Sequence, residues 1–444
     1  MPEGEDMSRP IVQKFGGTSM GTDQALTAVA GIIRNVDGGN VAVVSATSGT
    51  TDMLIRLGKE AVSDGDFEAT FAELVQKHEK IVANLHINPD MSGFWEEMRK
   101  ILQGINMLGE LSPNVLDRLQ SFGERISATI LADYLKADGI EALMVDAFNL
   151  VKTDNNFGAG NVDFDVTYKK TRETLLPLIE KGIVPVVTGF IGQAENGQYI
   201  TLGRGGSDYS GAIVAGALGA SELQIWTDVD GILNTDPRLV PEAKVLPQVS
   251  FNEAGELAYF GAKVLHPKTI KPAIEKNIPV RILNTFNVAA PGTLITNEEI
   301  ESIKSVTYKK NISVINICSL GMLNAHGFLA KIFDAFARHK VVADVVSTSE
   351  VSVSVTVDTV VSQPLIEELR SFATVKVYGD MAIICLVGEG IRAKSGILGQ
   401  LFSAVNEHNV SMVSQGASKR NITFLVNGEE APDVVVKVFN TFFK

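Results

Sequence analysis

The sequence predicts an α/β chain, a three-layer αβα sandwich followed by two ferredoxin-like α+β units. Short apolar runs alternate with helical stretches up to residue 283, composition breaks at 286–305, and the remainder is an internal repeat.

The strand-like runs lie at 11–15, 41–45, 142–146, 183–190, 223–229 and 279–283. Several are apolar without alternation, as parallel strands buried on both faces are. After the first strand, Leu26, Val29, Ala30 and Ile33 mark one face of a helix. Residues 52–136 interrupt the alternation with helical composition and read as a helical insertion. The 286–305 segment, with Ala289-Ala290-Pro291-Gly292-Thr293, reads as a linker. Beyond it Met381 repeats Ile312 at an offset of 69 residues, and Gly327 pairs with Gly396, Phe333 with Phe402, His339 with His408 and Val353 with Ile422. Each copy reads strand, loop, helix, strand, strand. The expected division is a flexible N-terminus at 1–10, an α/β unit at 11–285, the linker, and repeats at 306–379 and 380–444. The strand at 306–318 is a candidate for exchange into the second repeat.

At about 150 residues per domain, 444 residues suggest three domains. With 45% hydrophobic and 20% charged residues the chain is not disordered. The formal charge, 39 − 52 = −13, argues against a general nucleic-acid binder. Cys318 and Cys385 form no disulfide framework and, with six scattered histidines, no zinc spacing, which fits a reducing, cytoplasmic setting. No apolar run reaches the roughly 18 residues of a membrane span, and residues 1–10 lack the apolar core of a signal peptide.

Four motifs read as ligand-binding from their residue types. Lys14-Phe15-Gly16-Gly17-Thr18-Ser19 joins a strand to a helix, so free N–H groups and a lysine charge face an incoming phosphate. It is not a Walker A loop. Leu202-Gly203-Arg204-Gly205-Gly206-Ser207-Asp208 sets one arginine, a fork for carboxylate or phosphate, among three glycines; Ser207 or Asp208 is read as the helix N-cap. Trp226-Thr227-Asp228-Val229-Asp230-Gly231 follows an apolar strand, where open α/β sheets bind ligands. Phe260-Gly261-Ala262-Lys263-Val264 ends a helix that opens with a Ser250/Glu253 capping box. A fifth motif, Ser121-Phe122-Gly123-Glu124, taken alone reads as helix with a solvated carboxylate. Gly388-Glu389-Gly390-Ile391-Arg392-Ala393 fits a dinucleotide fingerprint but belongs to the repeat and lacks a downstream ribose-binding acid.

Taken together, these motifs resemble the aspartate kinases of the amino acid kinase family, with two C-terminal ACT domains and closest likeness to the monofunctional lysine-sensitive type. The resemblance spans the chain from Ile11 onward. It implies an amino acid kinase catalytic domain at 11–285 that phosphorylates the side-chain carboxylate of L-aspartate with ATP and Mg²⁺, without assigning direct metal ligands. It implies catalytic roles for Lys14 and Asp208, and aspartate binding by Ser45, Thr51, Glu124, Arg204, Gly205, Gly206 and Ser207. The nucleotide falls to Lys14, Gly16, Gly17, Thr227, Asp228, Leu233, Asp236, Arg238, Lys263 and Val264. L-Lysine is the implied feedback effector, at Met322, Ala325, Gly327, Phe328, Leu329, Asp344, Ser349 and Glu350, in a homodimer joined through the ACT domains. The competing readings are another amino acid kinase of the glutamate kinase type, a non-catalytic amino-acid sensor, and a dehydrogenase resting on Gly388 alone. The paired repeats argue against the first. The presence of Lys14, Glu124, Arg204 and Asp208 argues against the second.

Overall fold

The computed structural model describes residues 9–36, 39–63, 67–260, 267–322 and 326–444. The chain divides into two compact units, one of Met1–Ile232 with Leu265–Asn297 and one of Leu233–Val264 with Glu298–Lys444.

In chain order the elements are β1 (Ile11–Phe15), α1 (Asp23–Arg34), β2 (Asn40–Val44), α2 (Thr50–Val62), α3 (Phe67–Asn84), α4 (Ser92–Leu108) and α5 (Pro113–Ala137). β3 (Ala142–Val145), β4 (Lys152–Thr153), α6 (Phe164–Glu180), β5 (Val184–Thr188), β6 (Ile191–Ala194), β7 (Tyr199–Thr201), α7 (Gly206–Leu218) and β8 (Glu222–Thr227) follow. β9 (Gln248–Ser250) and α8 (Phe251–Tyr259) belong to the second unit; α9 (Lys271–Glu275), β10 (Val280–Asn284) and β11 (Thr293–Thr296) return to the first.

In the first unit the main sheet runs β3-β5-β2-β1-β8-β10-β11. All neighbours pair in parallel except the β10–β11 hairpin, so β11 occupies part of the stretch read as a linker. β2 is buried at every residue, which explains its unbroken apolar run. Helix α1 is capped by Thr22, whose hydroxyl accepts the Ala25 N–H, and it buries Leu26, Val29, Ala30 and Ile33. Helices α2 to α5 share one apolar core, with Leu54, Leu57, Leu74, Met98, Leu102, Phe122 and Ile126 fully or almost fully buried. A small sheet, β4-β6-β7, lies apart from the main one.

In the second unit β12 (Ile303–Cys318), α10 (Phe328–Arg338), β13 (Val346–Thr348), β14 (Ser352–Val357) and α11 (Gln363–Arg370) form the first copy of the repeat. β15 (Thr374–Gly388), α12 (Ile397–Ala404), β16 (Met412–Ser414), β17 (Asn421–Asn427) and α13 (Ala431–Phe443) form the second. The sheet order β13-β14-β12-β15-β17-β16 is symmetric about its middle. Both central strands serve both copies: Ile303–Lys309 of β12 pairs with the second half of β15, and the first half of β15 pairs with Val314–Cys318 of β12. Leu233–Val264 groups with this unit because Asn234 accepts the Val306 N–H and Glu253 accepts the Glu389 N–H. The fingerprint-like Gly388 is a packing residue: a Cβ there would run into the Ser302 carbonyl, and α12 starts only at Ile397. Among the described residues no helix is long and apolar enough to cross a membrane.

Candidate active site

Strand β1 lies between β2 and β8, and the three run in register, Phe15 opposite both Val44 and Trp226. Their carboxyl ends therefore deliver Gly16, Ser45 and Thr227 to one edge of the sheet. There the chain order reverses across β1, the place where open parallel sheets bind ligands. The Gly16 N–H donates to the Trp226 carbonyl, and the Ser48 N–H to the Gly17 carbonyl, so the glycine turn is stitched to both neighbouring loops.

Lys14 is 8% exposed, and its ammonium lies 2.6 Å from Asp208 Oδ1. Asp208 sits in the first turn of α7. The N-cap of that helix is Gly205, at φ +71°, and no side chain caps it. This corrects the reading of Ser207 or Asp208 as the cap. The physical reason is that Gly205 alone supplies the left-handed turn, which leaves Asp208 inside the helix facing Lys14.

Glu124 is the larger departure from its motif. Helix α5 crosses the 45–51 loop so closely that a Cβ on Gly123 would meet the Ala46 side chain at 2.8 Å. Glu124 is therefore 3% exposed, not solvated. Burial pushes its carboxyl up to about 8, opposed by the Ala46 N–H and the nearby Lys14 charge. Among the described residues its Oε2 has no hydrogen-bond partner.

Arg204 is exposed and makes no ion pair among the described residues; Gly206 is buried and Ser207 half-buried. Ser45 and Thr51 flank the loop over α5. Four residues with no role implied by the resemblance organise that loop, two of them, Thr47 and Thr50, within the 45–51 segment itself. His78 donates from Nδ1 to the Leu74 carbonyl at 2.8 Å, so its Nε2 accepts from the Thr47 hydroxyl at 3.0 Å. Thr47 in turn accepts from Thr50 at 2.5 Å, and Lys77 donates to Thr50 Oγ1 at 3.0 Å and to the Ser48 carbonyl. Burial lowers His78 to about 4 and so keeps the acceptor nitrogen free of a proton. The sequence signal was a His on the apolar Phe71–Leu74–Ile81 face of a helix, which alone does not separate a core histidine from a functional one.

Of the residues expected to hold the nucleotide, Thr227 donates to Asp228 at 3.1 Å. Asp230, part of the same motif but given no role of its own there, accepts from Asn284 and Asn287 at 2.7 and 3.0 Å. In the second unit Leu233 is half-buried, and Asp236 is engaged by Arg238 and by the Tyr308 hydroxyl, which holds its carboxyl below the usual range. Lys263 and Val264 lie outside the described residues, as does Ala325 of the effector set. Met322 and Phe328 pack against the first repeat's core, Gly327 starts α10 at φ +81°, and Leu329 and Glu350 are exposed. Ser349 pairs with Ser352. Asp344, 2% exposed at its side chain, accepts from the Tyr259 hydroxyl and lies 3.3 Å from the Lys309 ammonium.

A buried lysine–aspartate pair, a glycine turn and an open carboxylate at a sheet switch point define a small-molecule phosphotransferase site. The profile of the amino acid kinase family matches residues 9–284 and that of the ACT domain 384–442, so the chain belongs to the amino acid kinase family. Within it the relatives are aspartokinases. The chain is 39% identical to aspartokinase 1, chloroplastic, of Arabidopsis thaliana over 98% of this chain and 80% of that one. It is 35% identical to the lysine-sensitive aspartokinase 3 of Escherichia coli over 99% and 100%. The structure of E. coli aspartokinase III with aspartate and ADP matches at a TM-score of 0.84, with 34% identity and 98% and 100% coverage.

The unfolded chain loses the Glu124 proton near 4.5, whereas the folded chain keeps it to about 8. The protonated carboxyl thus favours the folded state at low pH, and that contribution is lost as pH rises towards 8. Wild-type Tm measured relative to a Glu124→Gln variant should fall between about pH 5 and 8; parallel Tm–pH curves would mean that the carboxyl is already ionised in the free protein.

Proposed function

We propose that the chain transfers the γ-phosphoryl group of ATP to the side-chain carboxylate of L-aspartate, giving 4-phospho-L-aspartate and ADP. The observation that carries this reading is the buried Oε2 of Glu124, without a partner among the described residues, beside the Lys14–Asp208 pair, a fitted seat for a substrate ammonium group. The nucleophile is a carboxylate with an ordinary pKa near 4, so it needs no base. An aspartate oxygen bonds to the γ-phosphorus as the bond to the bridging oxygen of ADP breaks, and that oxygen leaves with the electron pair.

Catalysis of this kind is positioning and charge neutralisation. Lys14 offsets charge on the moving phosphoryl group, Asp208 orients Lys14, and the N–H groups of Gly16 and Gly17 line the phosphate path. Arg204 forks the α-carboxylate, with Gly205, Gly206 and Ser207 at the helix start beside it. Glu124 takes the α-ammonium, and Ser45 and Thr51 bound the side-chain carboxylate. Thr227 and Asp228 take the nucleotide side. Among the described residues no three His, Cys, Asp or Glu side chains could cage a metal, so Mg²⁺ is assigned to the phosphates and water.

In the second unit we assign L-lysine as effector, with Asp344 and Glu350 as its ammonium partners. It would compete there with Lys309 and Tyr259. The same proposal includes a homodimer through the ACT repeats and a cytoplasmic, reducing setting for the free Cys318 and Cys385.

Arg204→Ala should raise the aspartate KM about 100-fold and leave that for ATP within about twofold; an unchanged aspartate KM would reject the carboxylate fork. Lys14→Ala should lower kcat by about 100-fold or more with little change in aspartate KM, and an unaltered kcat would make Lys14 structural. Titrating lysine into the kinase assay should inhibit, with the half-inhibiting concentration raised at least about tenfold in Asp344→Ala. Equal inhibition of both proteins would place the effector elsewhere.

A further inference from the structure

We propose that Asp117 is a positioning residue that sets where Arg204 stands, so that helix α5 governs both ends of the substrate's amino-acid moiety, Glu124 directly and Arg204 through Asp117. The inference rests on the assignment of Arg204 to the α-carboxylate.

Asp117 is 2% exposed and lies seven residues before Glu124, two turns away on the same face of α5 and about 10 Å along the axis. A buried carboxylate with no cation to pair with is costly unless donors saturate it. Here three do. Oδ2 accepts the Gly158 N–H at 2.8 Å and the Thr201 N–H at 3.0 Å, and Oδ1 accepts the Thr201 hydroxyl at 2.9 Å. A carboxylate accepts all three donors as they stand; an amide would keep them only with its carbonyl oxygen on the two N–H groups and its NH2 donating to the Thr201 hydroxyl, so removal of the side chain, not its amidation, is what frees the loop.

The consequence for Arg204 runs along the backbone. The Thr201 carbonyl accepts the Gly160 N–H at 2.9 Å, so every polar group of Thr201 is bound. Leu202 then donates to the Phe190 carbonyl at 2.8 Å, and the Gly206 N–H closes on the Gly203 carbonyl at 2.9 Å. Gly203, at φ +77°, has the Gly158 carbonyl 3.2 Å from where a Cβ would sit, so the loop that Asp117 holds is also the surface on which Gly203 rests. Arg204 therefore rides on a turn pinned by Asp117 at one end and by α7 at the other. Its own guanidinium has no partner among the described residues to correct an error. The backbone alone places it.

The test is a double-mutant cycle on the full chain, reading KM for aspartate and ATP separately. Asp117→Ala, which removes the acceptor of all three donors, should raise aspartate KM about tenfold or more while ATP KM stays within about twofold, and should add nothing in an Arg204→Ala background. Thr201→Val, which removes one of the three donors, should raise aspartate KM about threefold and covers the case in which Asp117→Ala fails to fold. Unchanged aspartate KM in these variants, equal rises for both substrates, or effects that multiply with Arg204→Ala would overturn the inference. If Arg204→Ala itself leaves aspartate KM unchanged, the assignment of Arg204 has failed and the inference falls with it, an outcome distinct from a failure of Asp117 alone.

Discussion

The register of three parallel strands is the constraint from which the site follows. Because β1 is hydrogen-bonded to β2 on one side and β8 on the other with no offset, three loops leave the sheet at one level. A slip of one residue would turn Lys14 to the other face of the sheet, away from Asp208. The burial of β1 and β2 on both faces makes such a slip expensive, since every residue of β2 is in the core. The chemistry is thus placed by backbone pairing and apolar burial, and the polar groups need only to be the right kind.

This explains which parts could be read from sequence. Buried parallel strands announce themselves as continuous apolar runs, and the six runs read as strands coincide with β1, β2, β3, β5, β8 and β10. The capping box at Ser250 and Glu253 is a local pattern and forms as read. Both local misreadings concerned groups whose state depends on a distant partner. Asp208 has the composition of a cap, but Lys14, nearly 200 positions away, claims it. Glu124 looks solvated along its own helix, and only the close approach of the 45–51 loop to Gly123 buries it. The Lys77–Thr50–Thr47–His78 chain was silent for the same reason: Thr47 and Thr50 lie in the loop between Ser45 and Thr51, but their proximity to Lys77 and His78 is made by folding.

The second unit applies the same logic to a duplicated sequence. Two copies of one pattern could each close alone, yet β12 and β15 extend through both, so neither copy completes its sheet without a strand from the other. Two apolar cores result, one under α10 and α11 and one under α12 and α13, joined by shared backbone hydrogen bonds. In this arrangement the two copies share the backbone hydrogen bonds of both central strands. Asp344 sits at a sensitive point of it, since α8 reaches it through Tyr259 while its Glu253 and Glu256 hold the Glu389 N–H and the Ser418 and Asn421 side chains of the second copy.

Two acids on α5 show how the same cost is met in opposite ways. Asp117 and Glu124 are both nearly inaccessible, and burial raises both carboxyls. Asp117 has donors from the chain itself on both oxygens, three in all, and serves the fold. Glu124 receives the Ala46 N–H but keeps one oxygen without a partner, and its carboxyl is pushed up to about 8. A carboxyl in that state is a poor structural anchor and a good receptor. On the proposed assignment of Glu124 to the substrate ammonium, burial favours the neutral carboxyl in the empty fold, and an arriving cation would favour the anion. The count of donors, not the identity of the residue, is what distinguishes the two acids, and it is the basis for the different roles proposed for them.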